Sequence, residues 1–350
     1  LYPDTDIIQH AGITNLRVGP AHKLQFAHDT EDHYFGQNRG VHDMLGVTGA
    51  CLLVKKTIFE KAGGFDETLA VAFNDVDLCM KVRSKGYLVV YDAFSQWYHY
   101  ESKSRGYEDT PEKQLRFKGE IETFQSKWQK ELDEGDPYYN RNFPMTTEAY
   151  VLASEKISEV KMFLTRAAHI IGKEGFKTFG YALQQKMHQN MTDAKVYGIY
   201  QKKIAPKQRI TDNKADCTAI CRHSGSYESM LAAVSGMDAE YIAVCDESCE
   251  FDKDYTAIVS HYIRIQKRAG RSLIYIYTDS EKYNQEAGCG LPDCKPDYSW
   301  DTLLSYNYIG DAFVAKKNAL IDAINECKNH GAVDNINYYE LSLIILSKCK

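Results

Sequence analysis

The stretch Phe73–Asn74–Asp75–Val76–Asp77 sets two carboxylates two residues apart where an apolar-patterned segment begins. Asn74 or Asp75 can cap a helix that continues through Leu78, Val82 and Arg83, with Gly86 as its stop. Asp75 then lies in the first turn, where the helix dipole favours an ionised carboxylate. Such a group, facing a cleft, can take the proton from a hydroxyl whose oxygen attacks carbon. The alternative is that both aspartates only cap the helix. For an isolated Asn-Asp-x-Asp, capping is the better account.

Other clusters shift that balance. In Val47–Thr48–Gly49–Ala50–Cys51, a Thr-Gly-Ala turn feeds an apolar run expected to be a strand, and Gly49 and Ala50 are small enough for a ligand to approach the backbone. Ala62–Gly63–Gly64–Phe65–Asp66–Glu67 is a tight loop that brings acidic groups beside the strand end. A strand is expected over Tyr87–Tyr91. Within a few residues beyond it, Trp97–Tyr98–His99–Tyr100–Glu101–Ser102–Lys103–Ser104–Arg105–Gly106 supplies an imidazole, hydroxyls and a guanidinium. A neutral His99 can ligate a divalent cation. Ser104 and Arg105 can hold a pyrophosphate, since the guanidinium presents a fork of donors to phosphate oxygens.

The elements that position these groups fall into three zones. Residues 1–145 are rich in glycine, histidine and aromatic residues. Residues 146–206 carry apolar residues at three-to-four spacing and are expected to be helical over Glu155–Ile171 and Phe176–Gln189. Residues 207–350 alternate short strands, among them Asp216–Arg222, Ala239–Val244 and Ser272–Tyr277, with helices, as in a mixed α/β sheet. A chain of 350 residues fits about two domains at ~150 residues each. The net charge of −6 argues against a nucleic-acid surface, which needs clustered Lys and Arg. No run reaches the ~18 apolar residues of a membrane span. The ten cysteines include three closely spaced pairs, but none has the C-x-x-C spacing of a zinc knuckle, so free thiols are expected.

The order of these pieces resembles bacterial family 2 glycosyltransferases of the GT-A type that build cell-wall and capsular polysaccharide. The resemblance is carried by Asp4, Ile8–Gln9–His10–Ala11–Gly12, Val47–Cys51, Gly63–Glu67, Phe73–Cys79, His99–Gly106, Trp128 and Asp136–Pro137–Tyr138–Tyr139–Asn140–Arg141–Asn142. It covers most of residues 1–145, and its joint specificity is high. It implies inverting transfer of a sugar from a nucleotide-sugar donor to a glycan or lipid-linked glycan acceptor, with Mg²⁺ or Mn²⁺. Asp75 would match the catalytic base and His99 the third metal ligand. Ser104 and Arg105 would lie on the loop over the diphosphate. Gly49, Ala50, Asp66, Glu67 and Asp77 would line the acceptor side. Asn74 stands where the family often has Glu.

Family members begin with a nucleotide-binding half that carries a D-x-D metal pair, and none of it precedes Leu1. The first zone is therefore expected to be an acceptor-side half domain. The third zone resembles a second such domain over about residues 225–342. Its D-x-D position reads Asp246–Glu247–Ser248, with one carboxylate of two, and Ser is a poor ligand for a hard cation. Tyr338 stands where the base Asp is expected, unless Glu340 takes that role. Asp246 and Ser248 are thus expected to mark a degenerate second site.

The expected architecture is α/β: a partial GT-A domain (1–145), a helical linker (146–206) and a degenerate GT-A-like α/β domain (207–350). The expected function is sugar transfer in surface polysaccharide synthesis by the parent protein, in the cytoplasm or at the inner face of the membrane through peripheral association. The fragment alone is expected to be inactive. The alternative is a non-catalytic module that binds glycan or scaffolds an assembly.

Overall fold

The computed structural model describes residues 1–16, 19–100, 110–145, 148, 150, 217–284, 289–329 and 335–349. The two helices expected in 146–206 lie outside these residues. The fold is mixed α/β built from small sheets. The chain divides into two compact units, Leu1–Ala205 with Glu281–Tyr306, and Pro206–Ser280 with Asn307–Lys350.

In the first unit, β1 (Ile13–Leu16) and β2 (Gly19–His22) form an antiparallel pair, as do β3 (Val41–Met44) and β4 (Val89–Asp92). Helix α1 spans Lys56–Ala62 and ends on Gly63 in the left-handed region, where a side chain would be strained. Helix α2 spans Asn74–Ser84, close to the expected course. Its cap differs from expectation. The N-cap is Phe73, with φ 63° and no side-chain cap, and Asn74 and Asp75 are already helical. The strand expected after Cys51 does not form either. Gly49–Cys51 is a 3-10 turn, and Leu53 beyond it is fully exposed.

Helix α2 is buried on two sides, which explains its near-continuous burial from Val76 to Met80. Val76 and Met80 pack with Ile13, Leu45, Phe124 and Trp128. Leu78, Cys79 and Val82 pack with Ala62 and Val89. Phe124 and Trp128 belong to the long helix α3 (Pro111–Glu134), capped by the Thr110 hydroxyl and started by Pro111 at its first position. Truncating a buried aromatic such as Phe124 to Ala typically costs about 3–5 kcal/mol.

The second unit is organised by a four-stranded sheet in the order β5 (Thr218–Arg222), β6 (Tyr241–Cys245), β10 (Ala312–Lys316), β7 (Tyr275–Ile276). β5 and β6 are parallel, while β10 is antiparallel to both neighbours. All of β6 is buried, as its unbroken apolar run requires. Helix α4 (Tyr227–Gly236) follows β5, and α5 (Tyr255–Arg268) lays Ala257, Val259 and Ile263 into the core. Strands β8 (Ser280–Asn284) and β9 (Cys289–Asp293) and helix α6 (Trp300–Ser305) come next in the chain. Glu281–Tyr306 packs within the first unit, where Ser305 Oγ accepts from Val41 N and donates to Val41 O, each at 2.9 Å. Helices α7 (Lys317–Asn329) and α8 (Tyr338–Ser347) close the second unit.

Candidate active site

Asp75 lies in the first turn of α2, partly exposed. Its Oδ2 accepts the Gly49 N–H at 2.7 Å, and Oδ1 accepts its neighbour Val76 N–H at 2.9 Å. The approach is close. A Cβ on Gly49 would stand 3.2 Å from Asp75 Cβ, so any side chain there would press on Asp75 by a few tenths of an ångström. The backbone before Asp75 is strained, because a bulky residue rarely adopts the left-handed conformation of Phe73. The strain is held from α3. Phe73 stacks on Phe117 and Phe124, with ring centroids 5.9 and 5.2 Å away. The buried Glu120 carboxylate accepts the Val71 and Ala72 N–H groups at 3.1 and 2.9 Å.

The Thr48–Gly49 turn is held in its place by His10. Both the Gly12 and Thr48 N–H groups donate to His10 Nε2 at 3.2 Å. That ring nitrogen is therefore unprotonated, and the proton is assigned to Nδ1, 3.3 Å from His22 Nδ1. Burial, reinforced by His22, holds His10 well below the usual histidine range, so it stays neutral and keeps accepting. Next to it, Gln9 Oε1 lies 3.1 Å from His99 Nδ1, and the Leu1 carbonyl accepts the His99 N–H at 3.2 Å. Segments around residues 9–12, 48–49, 75 and 99 are thus joined by hydrogen bonds.

The other expected residues are placed as follows. Ala50 is exposed and its N–H donates to Thr48 Oγ1. Glu67 is exposed. Asp66 accepts from Thr68 N and Oγ1 and pairs with Lys127 at 2.7 Å. Lys127 and Thr68 together hold its carboxyl below the usual range. Asp77 is fully buried rather than facing a cleft. It accepts the Trp128 indole N–H at 2.9 Å and pairs with Lys127 at 2.7 Å and Lys81 at 2.8 Å, locking α2 to α3. Ser104 and Arg105 lie outside the described residues. In the second unit, the Ser248 N–H donates to Asp246 Oδ1 at 2.9 Å just past β6. Asp246 lines a cavity of about 510 Å³ with Tyr338 and Glu340.

Three contributors had no role assigned by sequence reasoning. His10 falls inside a motif that was noted, but its partner Thr48 is 38 residues away. Glu120 and Lys127 look like ordinary charges on an exposed helix, and the i,i+4 spacing of Arg116 and Glu120 itself reads as a surface pair. Lys23 is a fourth surprise of a structural kind. It is fully buried against Asp136 at 3.0 Å, which gives the Asp136–Tyr138 segment its anchor.

A metal would need converging ligands. Among the described residues no three His, Cys, Asp or Glu side chains are placed to hold one, and His99 is engaged by Gln9. These residues do not by themselves fit Mg²⁺ or Mn²⁺. No helix among them is long and apolar enough to cross a membrane.

Comparison with known proteins places the chain among distant relatives. It is 41% identical over 157 residues to an uncharacterised protein, y4gI, of Sinorhizobium fredii, covering 44% of this chain and 17% of that protein. It is 31% identical over 150 residues to the O-antigen biosynthesis protein RfbC of Myxococcus xanthus, covering 42% of this chain and 11% of that protein. It is 37% identical over 60 residues to N-acetylglucosaminyl-diphospho-decaprenol L-rhamnosyltransferase of Mycobacterium tuberculosis, covering 17% of this chain and 20% of that enzyme. The chain thus spans a fifth or less of the length of these relatives. No family model matches it, and no solved structure does. Proteins named for O-antigen synthesis and for sugar transfer are therefore among its relatives.

Proposed function

We propose that residues 1–145 are the acceptor-side part of an inverting GT-A glycosyltransferase of family 2 that acts in surface polysaccharide synthesis, with Asp75 as its general base. The observation that carries this is the hydrogen-bonded convergence on Asp75 of motifs far apart in the chain, through Gly49, Thr48 and His10. The names of two relatives support the reaction class.

In the proposed step, a hydroxyl oxygen of the acceptor glycan attacks the anomeric carbon of a nucleotide sugar. The bond to the diphosphate breaks with its electron pair, and the nucleoside diphosphate leaves. Asp75 takes the hydroxyl proton, its carboxylate aimed by the Gly49 N–H and the first turn of α2. Asp77, with Lys127, Lys81 and Trp128, keeps α2 in register with α3. Ser104 and Arg105 are proposed to hold the diphosphate, and Gly49, Ala50, Asp66 and Glu67 to border the acceptor. Mg²⁺ or Mn²⁺, where bound, would stabilise the leaving diphosphate. Because the described residues do not form a metal site, no step here runs through a metal, and residues 1–350 alone are expected not to turn over. The domain course proposed is 1–145, a linker over 146–206, and a degenerate GT-A-like part over 207–350.

The test is an assay of the full-length protein with a panel of nucleotide sugars and glycan acceptors. The expected result is acceptor-dependent release of nucleoside diphosphate and a product of inverted anomeric configuration. Acceptor-independent release alone, retained configuration, or no release with any pair would contradict the proposal.

A further inference from the structure

Two backbone donors of different kinds aim the Asp75 carboxylate. The Val76 N–H reaches Oδ1 at 2.9 Å and is fixed by the adjacent peptide. The Gly49 N–H reaches Oδ2 at 2.7 Å and is only as fixed as the Thr48–Gly49 turn that carries it. Inside that turn, Thr48 Oγ1 accepts from Ala50 N at 3.4 Å. Just before it, the Val47 carbonyl meets the Cys79 thiol at 3.7 Å, a weak contact. The stronger tie is the Thr48 N–H, which donates to His10 Nε2 at 3.2 Å.

The same Nε2 also accepts the Gly12 N–H at 3.2 Å. A ring nitrogen has one in-plane lone pair, so the two N–H groups share it. The ring itself stands edge-on to His22, with centroids 4.9 Å apart, and 6.2 Å from Tyr91. The backbone around His10 is secured by other bonds. Ile13 N donates to the Gly46 carbonyl at 2.8 Å and Lys23 N to the Gly12 carbonyl at 2.9 Å, and β1 pairs with β2. None of these bonds involves Thr48 or Gly49. Loss of the His10 acceptor therefore leaves that framework standing and slackens the turn.

We propose that His10 is a positioning residue for the Asp75 carboxylate, acting through its bare Nε2 on the Thr48–Gly49 turn. The proposal rests on the reading of Asp75 as the general base. A base must stand within hydrogen-bond reach of the proton it takes, and a misplacement of about 1 Å can cost about 10²-fold in rate. A slack turn lets Oδ2 swing out of line, and the step that slows is proton removal rather than donor binding.

Two substitutions separate the acceptor from the ring. His10→Gln offers an amide oxygen with two lone pairs at about the reach of Nε2, but no ring. His10→Phe keeps a ring against His22 and Tyr91 but accepts nothing. Both are made in the full-length protein, alone and with Asp75→Asn, and turnover number and donor affinity for sugar transfer are measured. The expected turnover is at least tenfold below wild type for His10→Phe and within threefold of it for His10→Gln, with donor affinity unchanged in both. Combined with Asp75→Asn, His10→Phe should slow the residual turnover by less than threefold, because the group it positions can no longer take a proton. The proposal is overturned if His10→Gln falls as far as His10→Phe, if His10→Phe matches wild type, or if His10→Phe slows the Asp75→Asn variant by its full factor. If a thermal melt shows His10→Phe unfolded, His10→Gln decides: retained turnover supports the acceptor role and lost turnover overturns it. The reading of Asp75 fails separately, through wild-type turnover in Asp75→Asn alone.

Discussion

Around Asp75 each hydrogen bond has a definite direction, and the Thr48–Gly49 turn depends on His10 staying neutral. His42 on β3 is another buried histidine, away from that turn. It is buried beside the Gly36 carbonyl at 3.0 Å and Thr302 Oγ1 at 3.3 Å, and burial lowers its pKa to about 4. The unfolded chain takes up a proton near pH 6.5 and the folded chain does not, so stability is lost as pH falls from ~6.5 toward 4, by about 3 kcal/mol in all. Asp43 works in the other direction. Burial raises its pKa to about 6, with Ser299 Oγ donating at 2.8 Å, so the folded chain keeps a proton that the unfolded one has released, and stability is lost as pH rises from ~3.8 to 6. Asp43→Asn removes that opposition while Ser299 can still donate to the amide oxygen. The variant should be more stable than wild type above pH 6 and lose stability more steeply between pH 6.5 and 4, as read from urea midpoints. Parallel curves for the two proteins would contradict this. At this scale the place of Asp75 in the first turn of a helix was legible, because Asn-Asp-x-Asp opens an apolar helix pattern. Asp77 shares that pattern yet is buried, because the partner that turns it inward, Trp128, comes 51 residues later.

Among the elements, α3 decides where α2 begins. Its Glu120 takes up two backbone N–H groups of the loop before Phe73, while Phe124 and Trp128 fill the space under Val76 and Met80. Removing a buried carboxylate that satisfies two N–H groups leaves both unpaired. Glu120→Ala is therefore expected to cost about 2–4 kcal/mol, and Glu120→Gln less, since the amide oxygen can still accept one of them. A loss under about 0.5 kcal/mol for Glu120→Ala in urea unfolding would show that the loop does not need this cap. Helix α2 was legible from its apolar spacing, whereas α3 was not expected, Trp128 having been noted only as a residue that carries the resemblance. The strand expected after Gly49 was not correct, because an apolar run becomes a strand only where a partner edge exists, and Leu53 has solvent instead. The packing of α6 on β3 was not legible at all. Its bonds, such as Ser299 to Asp43 and Ser305 to Val41, join residues more than 250 positions apart.

For the molecule as a whole, the alternation of strands and helices after residue 217 could be read ahead of the structure, and β5 and β6 fall close to where their apolar runs place them. The shortness of β7 could not, since Ser272–Tyr277 carries strand-forming residues throughout and only two of them pair. Nor could the return of Glu281–Tyr306 to the first unit be inferred from local pattern. The matched stretches cover only 17% and 11% of y4gI and RfbC, so the proposed transfer is tested in the full-length protein. There the most direct measurement compares wild type with Asp75→Asn, an isostere that can still accept the Gly49 N–H but cannot take a proton. The turnover number for sugar transfer should fall by about 10²–10⁴, with donor-sugar affinity unchanged within a factor of three. Turnover within a few-fold of wild type would contradict the assignment of Asp75 as the base.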